Sequence, residues 1–315
     1  MVQISGTNER FLAKPVVLSE VLRIMEPDLA FMNKIPNVDS GGEVPIYLSK
    51  TTKAADAKKQ KPKLTSPSSR FPEVEITRAT KKSALLSEEG LSIRFDKSAI
   101  QKKSGVDIIA DSLQTVGYWL AEYMNSNIYS TLDEGSTDAG ASITALWSAA
   151  DATPIDDCRQ IKNAMRREGY PYRMTDMYVH QNDFNDMEGY LIGHEVPQFR
   201  EAALNCSQSQ ITLPLEGKPV LTGLYSGVTE GDILGLDRNK PAAAMYYYND
   251  PQFSQASVSY ETIVNGMPTM KTVPNFGLNM HKYFEDDTHD TVIQLWFDTG
   301  VVVKDPYGII TEDGI

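Results

Sequence analysis

The sequence is poor in the features that mark catalysis, secretion or a grip on nucleic acid. Only two of its 315 residues are cysteines, Cys158 and Cys206, and they sit in different segments. Two separated thiols give no disulfide framework, and buried reduced cysteines are expected instead. No C-x-x-C, no G-x-S-x-G and no glycine-rich phosphate loop occurs. No run approaches the ~20 apolar residues of a membrane span. Met1 to Arg10 lack a basic start followed by an apolar stretch, so no signal peptide is expected and the chain should stay in the cytoplasm. Positive charge is also scarce. Lys and Arg number 30 against 42 Asp and Glu, a formal net charge of −12, with a pI near 4.9. Proteins that hold nucleic acid by its phosphates carry the opposite sign, so sequence-specific DNA binding is not expected.

Histidine is rare too, with four in all. His281 and His289 flank Glu285-Asp286-Asp287 and precede Asp290. The spacing fits no defined metal site, and an acidic exposed turn is the simpler reading. Glu88 and Glu89 are adjacent in a strand pattern and point to opposite faces, which argues against shared acid–base work. Tyr246-Tyr247-Tyr248 and Trp296 have no basic groove beside them and read as packing rather than base stacking. No catalytic constellation, cofactor site or metal site emerges.

What is present is a long helical pattern. From Ser104 to Leu132, apolar residues recur at Val106, Ile109, Leu113, Val116, Leu120, Tyr123 or Met124, and Ile128. Steps of three and four place them on one helical face. The spacing predicts a rod of roughly 40 Å, with Ser104 as its cap.

Ahead of the rod, residues 1–40 read as an arm, with Ser19 capping a short helix that Pro27 ends. Residues 41–95 predict two strands, Val44–Leu48 and Val74–Thr77, around a basic tract. That tract holds Lys50, Lys53, Lys58, Lys59, Lys61, Lys63 and Arg70 against Asp56 alone, with almost no large apolar residue. It cannot bury enough surface to offset its own ordering. A surface loop, a basic nucleic-acid patch or a two-stranded arm ordered by a neighbouring subunit all fit it; the flanking strands and the acidic remainder of the chain favour the arm. Leu91–Phe95 predicts a further strand, and Asp96–Lys103 a short helix.

After the rod, Pro154–Glu168 carries concordant helix signals: Thr153 as cap, acids in the first turn, arginines in the last and Gly169 beyond. Strands are expected at Met177–His180, Lys218–Thr222, Asp232–Leu236 and Ala242–Tyr248, with a helix over Asn182–Leu191. Thr291–Phe297 and Gly300–Val303 read as two paired strands around Asp298-Thr299.

The order and proportions of these parts resemble the major capsid proteins of tailed viruses, the HK97 fold. That resemblance implies an α+β architecture with an N-terminal arm (1–40), an extended E-loop hairpin (41–95), and a peripheral domain with a long spine helix (96–152). An α/β axial domain (153–265) would follow, and then the returning peripheral strands (266–315). It implies a shell-forming, non-enzymatic protein with no cofactor that partners itself in hexamers and pentamers. Scaffolding, portal and decoration proteins are further partners it suggests. The shell would enclose DNA without sequence-specific binding and without a membrane, as a virion capsid assembled in the host cytoplasm. The seven basic residues of the tract would lie in the E-loop, at contacts between subunits. An encapsulin-type shell of the same fold is the alternative, and a soluble enzyme or binding protein with a long basic loop belongs to a different class.

Overall fold

The helical pattern becomes one 30-residue helix, Gly105–Glu134 (α2). Ile109, Leu113, Val116, Leu120, Met124, Ile128 and Leu132 line its buried side. Between the two alternatives at the middle of the stripe, Met124 turns inward and Tyr123 faces solvent. The structure, a computed structural model, describes residues 12–32, 34–42, 44–49, 80–96, 105–141, 143, 146–149, 151–166, 172–194, 196–204, 209–225, 227–264, 267–285, 290–313 and 315. The expected cap Ser104, the expected helix Asp96–Lys103 beyond its first residue, and the expected strand Val74–Thr77 fall outside them.

The first described helix, Lys14–Met25 (α1), starts earlier than expected. Pro15 occupies its first turn, where a missing N–H costs nothing. Ser19 is therefore inside the helix rather than its cap, and its hydroxyl donates back to the Val16 carbonyl at 2.8 Å. Val17, Leu18, Val21, Leu22 and Met25 are all buried. They join the main core with α2, where Gly117 leaves room for Ile24: a Cβ at 117 would sit 2.7 Å from an Ile24 methyl. The following residues stay on the same body. Phe31 stacks on Tyr178 with centroids 4.3 Å apart, and Lys34 pairs with buried Asp176 at 2.5 Å. Asn125 of α2 accepts from the Ala30 N–H and donates to the Asp28 carbonyl. The described part of the arm thus folds onto its own subunit. Its apolar face is part of this chain's own core.

Two larger sheets flank this core. One is a mixed six-stranded sheet in the order β5-β15-β9-β6-β8-β7. Its strands are Thr137–Asp138 (β5), Asp176–His180 (β6), Gln210–Thr212 (β7), Val220–Leu224 (β8), Asp232–Leu236 (β9) and Ile309–Asp313 (β15). Strands β6, β8 and β9 are buried over four of their five residues, as expected for strands covered on both faces. Pro154–Met165 (α3) and Gln181–Gly193 (α4) pack beside them. Thr153 precedes α3 without forming a side-chain cap, and α3 stops at Met165.

The other sheet is built around a single strand, Asp290–Val303 (β14). The expected pair of strands around Asp298-Thr299 is one 14-residue element. The Asp298 N–H donates to the Gly277 carbonyl and its own carbonyl accepts from the Tyr248 N–H, so the backbone is held extended where a turn was expected. Leu278–Glu285 (β13) pairs with its first eight residues and Ala243–Tyr247 (β10) with its last five. Ser87–Asp96 (β4) pairs with residues 290–299, and Asn37–Asp39 (β1) adds to β10. The two sheets are not divided at residue 265: β10 lies with β14, while β15 returns to the six-stranded sheet. Two hairpins complete the framework. Ile46–Ser49 (β2) pairs with Thr80–Ser83 (β3), and Ser257–Val264 (β11) pairs with Met267–Pro274 (β12).

A buried polar network locks the β14 sheet to the loop after β10. Asn275 and Asn279 are fully buried. Asn275 donates to the Ser254 hydroxyl and the Leu278 carbonyl, both at 2.7 Å. Asn279 donates to the Asp298 carboxylate at 2.7 Å and accepts from the Asp250 N–H at 3.0 Å. Asn279→Ala removes two donations, to Asp298 and to the Gly277 carbonyl, and the acceptor of the Asp250 N–H, all at buried or half-buried partners. A loss of about 2 kcal/mol is expected in urea unfolding of the subunit.

Candidate assembly surfaces

For a protein whose resemblance implies assembly, the relevant site is the set of surfaces the single chain leaves uncovered. Three stand out by their exposed apolar side chains.

The first is the β2–β3 hairpin. Period-2 alternation turns Tyr47 toward Ala84, Ala244, Tyr246 and Val302, a small cluster of its own. It leaves Ile46 69% and Leu48 54% exposed, with Leu85 at 84%. Neither β2 nor β3 has a second described partner, so each presents a free backbone edge among the described residues. A free edge with apolar side chains is a template for strand addition. The expected tract lies between these strands, and Lys50, Lys53, Lys58, Lys59, Lys61, Lys63 and Arg70 all fall outside the described residues.

The second surface is the outer side of α2. Trp119 and Tyr123, one turn apart, are 56% and 45% exposed, and Tyr118 beside them is 48% exposed. Tyr118 and Glu122 border a cleft of about 390 Å³ shared with Pro27, Asn125 and Tyr225. Tyr225 is 76% exposed. The third is the β11–β12 hairpin, where Met267 and Met270 are 71% and 65% exposed. The hairpin is moored at its middle, at the Tyr260–Lys271 pair beside Met270, where Glu26 accepts from Lys271 at 2.5 Å and from Tyr260. The sequence pattern places Ile46 and Leu48 in a strand and offers Tyr123 as an alternative to Met124 on the core stripe, and it marks none of these residues as surface. In α2 the available signal was aromatic side chains lying off the core stripe.

The remaining candidates behave as ordinary structure. Among the described residues, no group of three His, Cys, Asp or Glu is placed to hold a metal ion. Glu285 pairs with Arg94 at 2.6 Å, while residues 286–289 are outside the described set. Glu88 stands opposite Asp298 and Glu89 opposite Phe297 in the β4–β14 register. Tyr246 is buried in its small cluster and Tyr247 packs edge-on against Phe276. Cys158 is fully buried in the core, and burial pushes its thiol up, away from reactivity. No described helix is long and apolar enough to cross a membrane.

Comparison with known proteins separates sequence from shape. No protein-family model and no curated protein matches the sequence. Solved structures match over nearly the whole chain. A virus-like particle from Pyrococcus furiosus is 10% identical, with 94% of this chain aligned to 96% of that one at a TM-score of 0.53. A structure of Microbacterium phage Oxtober96 is 11% identical, with 90% of each chain covered and a TM-score of 0.53. The satellite phage P4 procapsid, solved with a size determination protein, is 9% identical, with 94% and 91% covered and a TM-score of 0.50. At this identity the likeness is one of fold, and it runs from one end of the architecture to the other. The chain has the HK97-type capsid fold.

Proposed function

We propose that the protein is a major capsid protein whose copies assemble into the icosahedral head shell of a tailed virus. The observation that carries this reading is the coverage: more than nine-tenths of this chain and of a virus-like-particle protein superpose with no large part left over on either side. Exposed apolar side chains on the β2–β3 hairpin, the outer side of α2 and the β11–β12 hairpin support it, since patches of this kind are contact surfaces. The mechanism is assembly rather than catalysis. Rotated copies meet through different surfaces, so contacts close into rings of five and six and then into a shell. The basic tract between β2 and β3 adds contacts across subunits, where Lys50, Lys53, Lys58, Lys59, Lys61, Lys63 and Arg70 meet acidic surface. The six-stranded sheet with α3 and α4 serves as the axial part, and the β14 sheet with α2 as the peripheral part. Scaffolding, portal and decoration proteins are the partners proposed beyond the chain itself, the first supported by the procapsid neighbour. The shell encloses DNA without reading its sequence, consistent with the net charge of −12, and assembles in the host cytoplasm.

Deleting Lys50 to Arg70 tests this. The expected product is a folded subunit, with unchanged circular dichroism, that forms no shells under electron microscopy. Normal shells from the deletion would overturn the role given to the tract, and a full-length chain that stays a small oligomer by light scattering would overturn the capsid reading. Intact particles that hold a cargo protein instead of a genome would assign the encapsulin alternative.

A further inference from the structure

The six-stranded sheet is polarised along its strands. Strands β6 and β8 are parallel, and β9 runs against β6 as β7 runs against β8. The register therefore gathers the entry to β6, the β7–β8 turn and the exit of β9 at one end. The exit of β6, the entry to β9 and the last residues of β15 gather at the other. A five-residue strand, roughly 17 Å long, separates the two ends.

The first end is basic. Arg166, Arg173, Lys218, Arg238 and Lys240 are exposed there. The C-terminus of α3 reaches the β7–β8 turn, where Arg166 donates to both oxygens of the Glu216 carboxylate at 3.2 and 3.3 Å. Lys162 donates to the Glu216 carbonyl at 3.0 Å. Arg166 first, then Lys162, holds the Glu216 carboxyl below its ordinary value, and Arg173 adds to this. Asp176 and Asp237 are buried and engaged inside. Asp237 accepts from the N–H groups of Arg173, Asn239 and Lys240. Asp176 takes Lys34 and the Thr175 hydroxyl, and Arg238 lies 3.8 Å from it with its side chain still 47% exposed.

The opposite end is acidic. Asp133, Glu134, Glu230 and Asp313 are exposed, and Asp232 is half-buried. The segments that build this end, 132–138, 181–186, 225–232 and 311–315, contain no lysine or arginine. Burial first, then the charge of Asp313, pushes the carboxyls of both Asp133 and Asp232 up.

Copies of a chain with a net charge of −12 repel one another unless they meet through faces of opposite sign. This sheet carries both signs, one at each end. We infer that the basic end of the sheet docks on the acidic end of the same sheet in a second copy. The cations that relieve Asp133 and Asp232 then come from the neighbour's Arg173, Arg238 and Lys240 positions. Two different patches meet, so the contact is heterologous and closes by rotation into a ring. Resting on the shell-forming role proposed above, this contact is the one that orders copies around an axis.

Charge reversal in the full-length chain tests the pairing. Arg173→Glu with Lys240→Glu reverses the basic end, and Glu230→Lys with Asp313→Lys reverses the acidic end. Each pair should lower the assembled fraction in sedimentation by about tenfold or more, because like charges then face each other. All four substitutions together restore opposite signs and should rebuild the parent's assemblies. The basic-end pair combined with Glu88→Lys and Asp111→Lys has the same net charge as the fourfold variant but no complementary face, and should not assemble. Thermal melting checks that every variant folds. Folded reversed pairs that assemble like the parent, loss from one pair alone, no recovery in a folded fourfold variant, or equal recovery in the net-charge control each overturn the pairing, while shells from the parent keep the capsid reading. A parent that forms only small oligomers, broken by each pair and rebuilt by all four, keeps the pairing and overturns the shell. A parent that stays monomeric overturns both.

Discussion

Gly90→Val is expected to destabilise the subunit by about 4 kcal/mol or more, in the range that only severe mechanisms reach. Gly90 stands opposite Trp296 in the β4–β14 ladder. A Cβ at this position would lie 2.1 Å from the Leu295 carbonyl oxygen and 2.6 Å from the Trp296 Cα. Both obstacles are backbone atoms of the central strand, so no rotamer change relieves the clash. The strands must separate, and the pairs Leu91–Leu295 and Glu89–Phe297 on either side go with them. Separation would uncover Phe95, Ile293, Leu295 and Phe297, all buried in the main core. Gly189→Ala supplies the contrast. That glycine is in α4 with nothing within 4 Å of an added Cβ, and alanine there should gain up to ~1 kcal/mol. Urea unfolding of the two variants beside the parent measures both. Equal midpoints for Gly90→Val and the parent would mean that the β4–β14 contact contributes little.

The contrast between these glycines also marks what could be foreseen. The helices were legible because their signals are local. The stripe from Ile109 to Ile128 is written in steps of three and four, and Pro154 with Asp156 and Asp157 announces α3 within one turn. The buried strands β6 and β9 were legible as short apolar runs for the same reason. The unbroken β14 was not. Asp298-Thr299-Gly300 carries turn residues, and what keeps it extended is a set of partners far away in sequence: Gly277, Asn279 and Tyr248. The role of α1 was hidden similarly. Its five buried apolar residues look too few for a core until α2 is beside them. The exposed surfaces were the least legible. Ile46 and Leu48 have the same composition as core strand residues, and only the fold shows which side of β2 lacks a neighbour. The basic tract was conspicuous in composition, yet its residues lie outside those described.

Stability of the unassembled subunit is expected to fall as pH rises from about 4 to 6, and Asp298 is expected to carry a separable share of that fall. Its folded carboxyl titrates near 6, above the ordinary carboxylate value, because burial and the facing Glu88 oppose ionisation. In this window the folded state binds more protons than the unfolded chain, so unfolding free energy decreases with pH. Two pKa units correspond to about 3 kcal/mol at most, lost by neutral pH. Asp133, Asp183 and Asp232 are raised as well, each by burial first, so the parent slope is a sum. Asp298→Asn isolates one contribution. The amide oxygen can still accept from Asn279, but nothing at this position ionises. The variant should match or exceed the parent at pH 7.5 and lose its advantage near pH 4.5. Denaturant melts of both proteins at several pH values give the difference directly, and parallel stability curves across that range would show that Asp298 ionises in the fold as readily as in the unfolded chain.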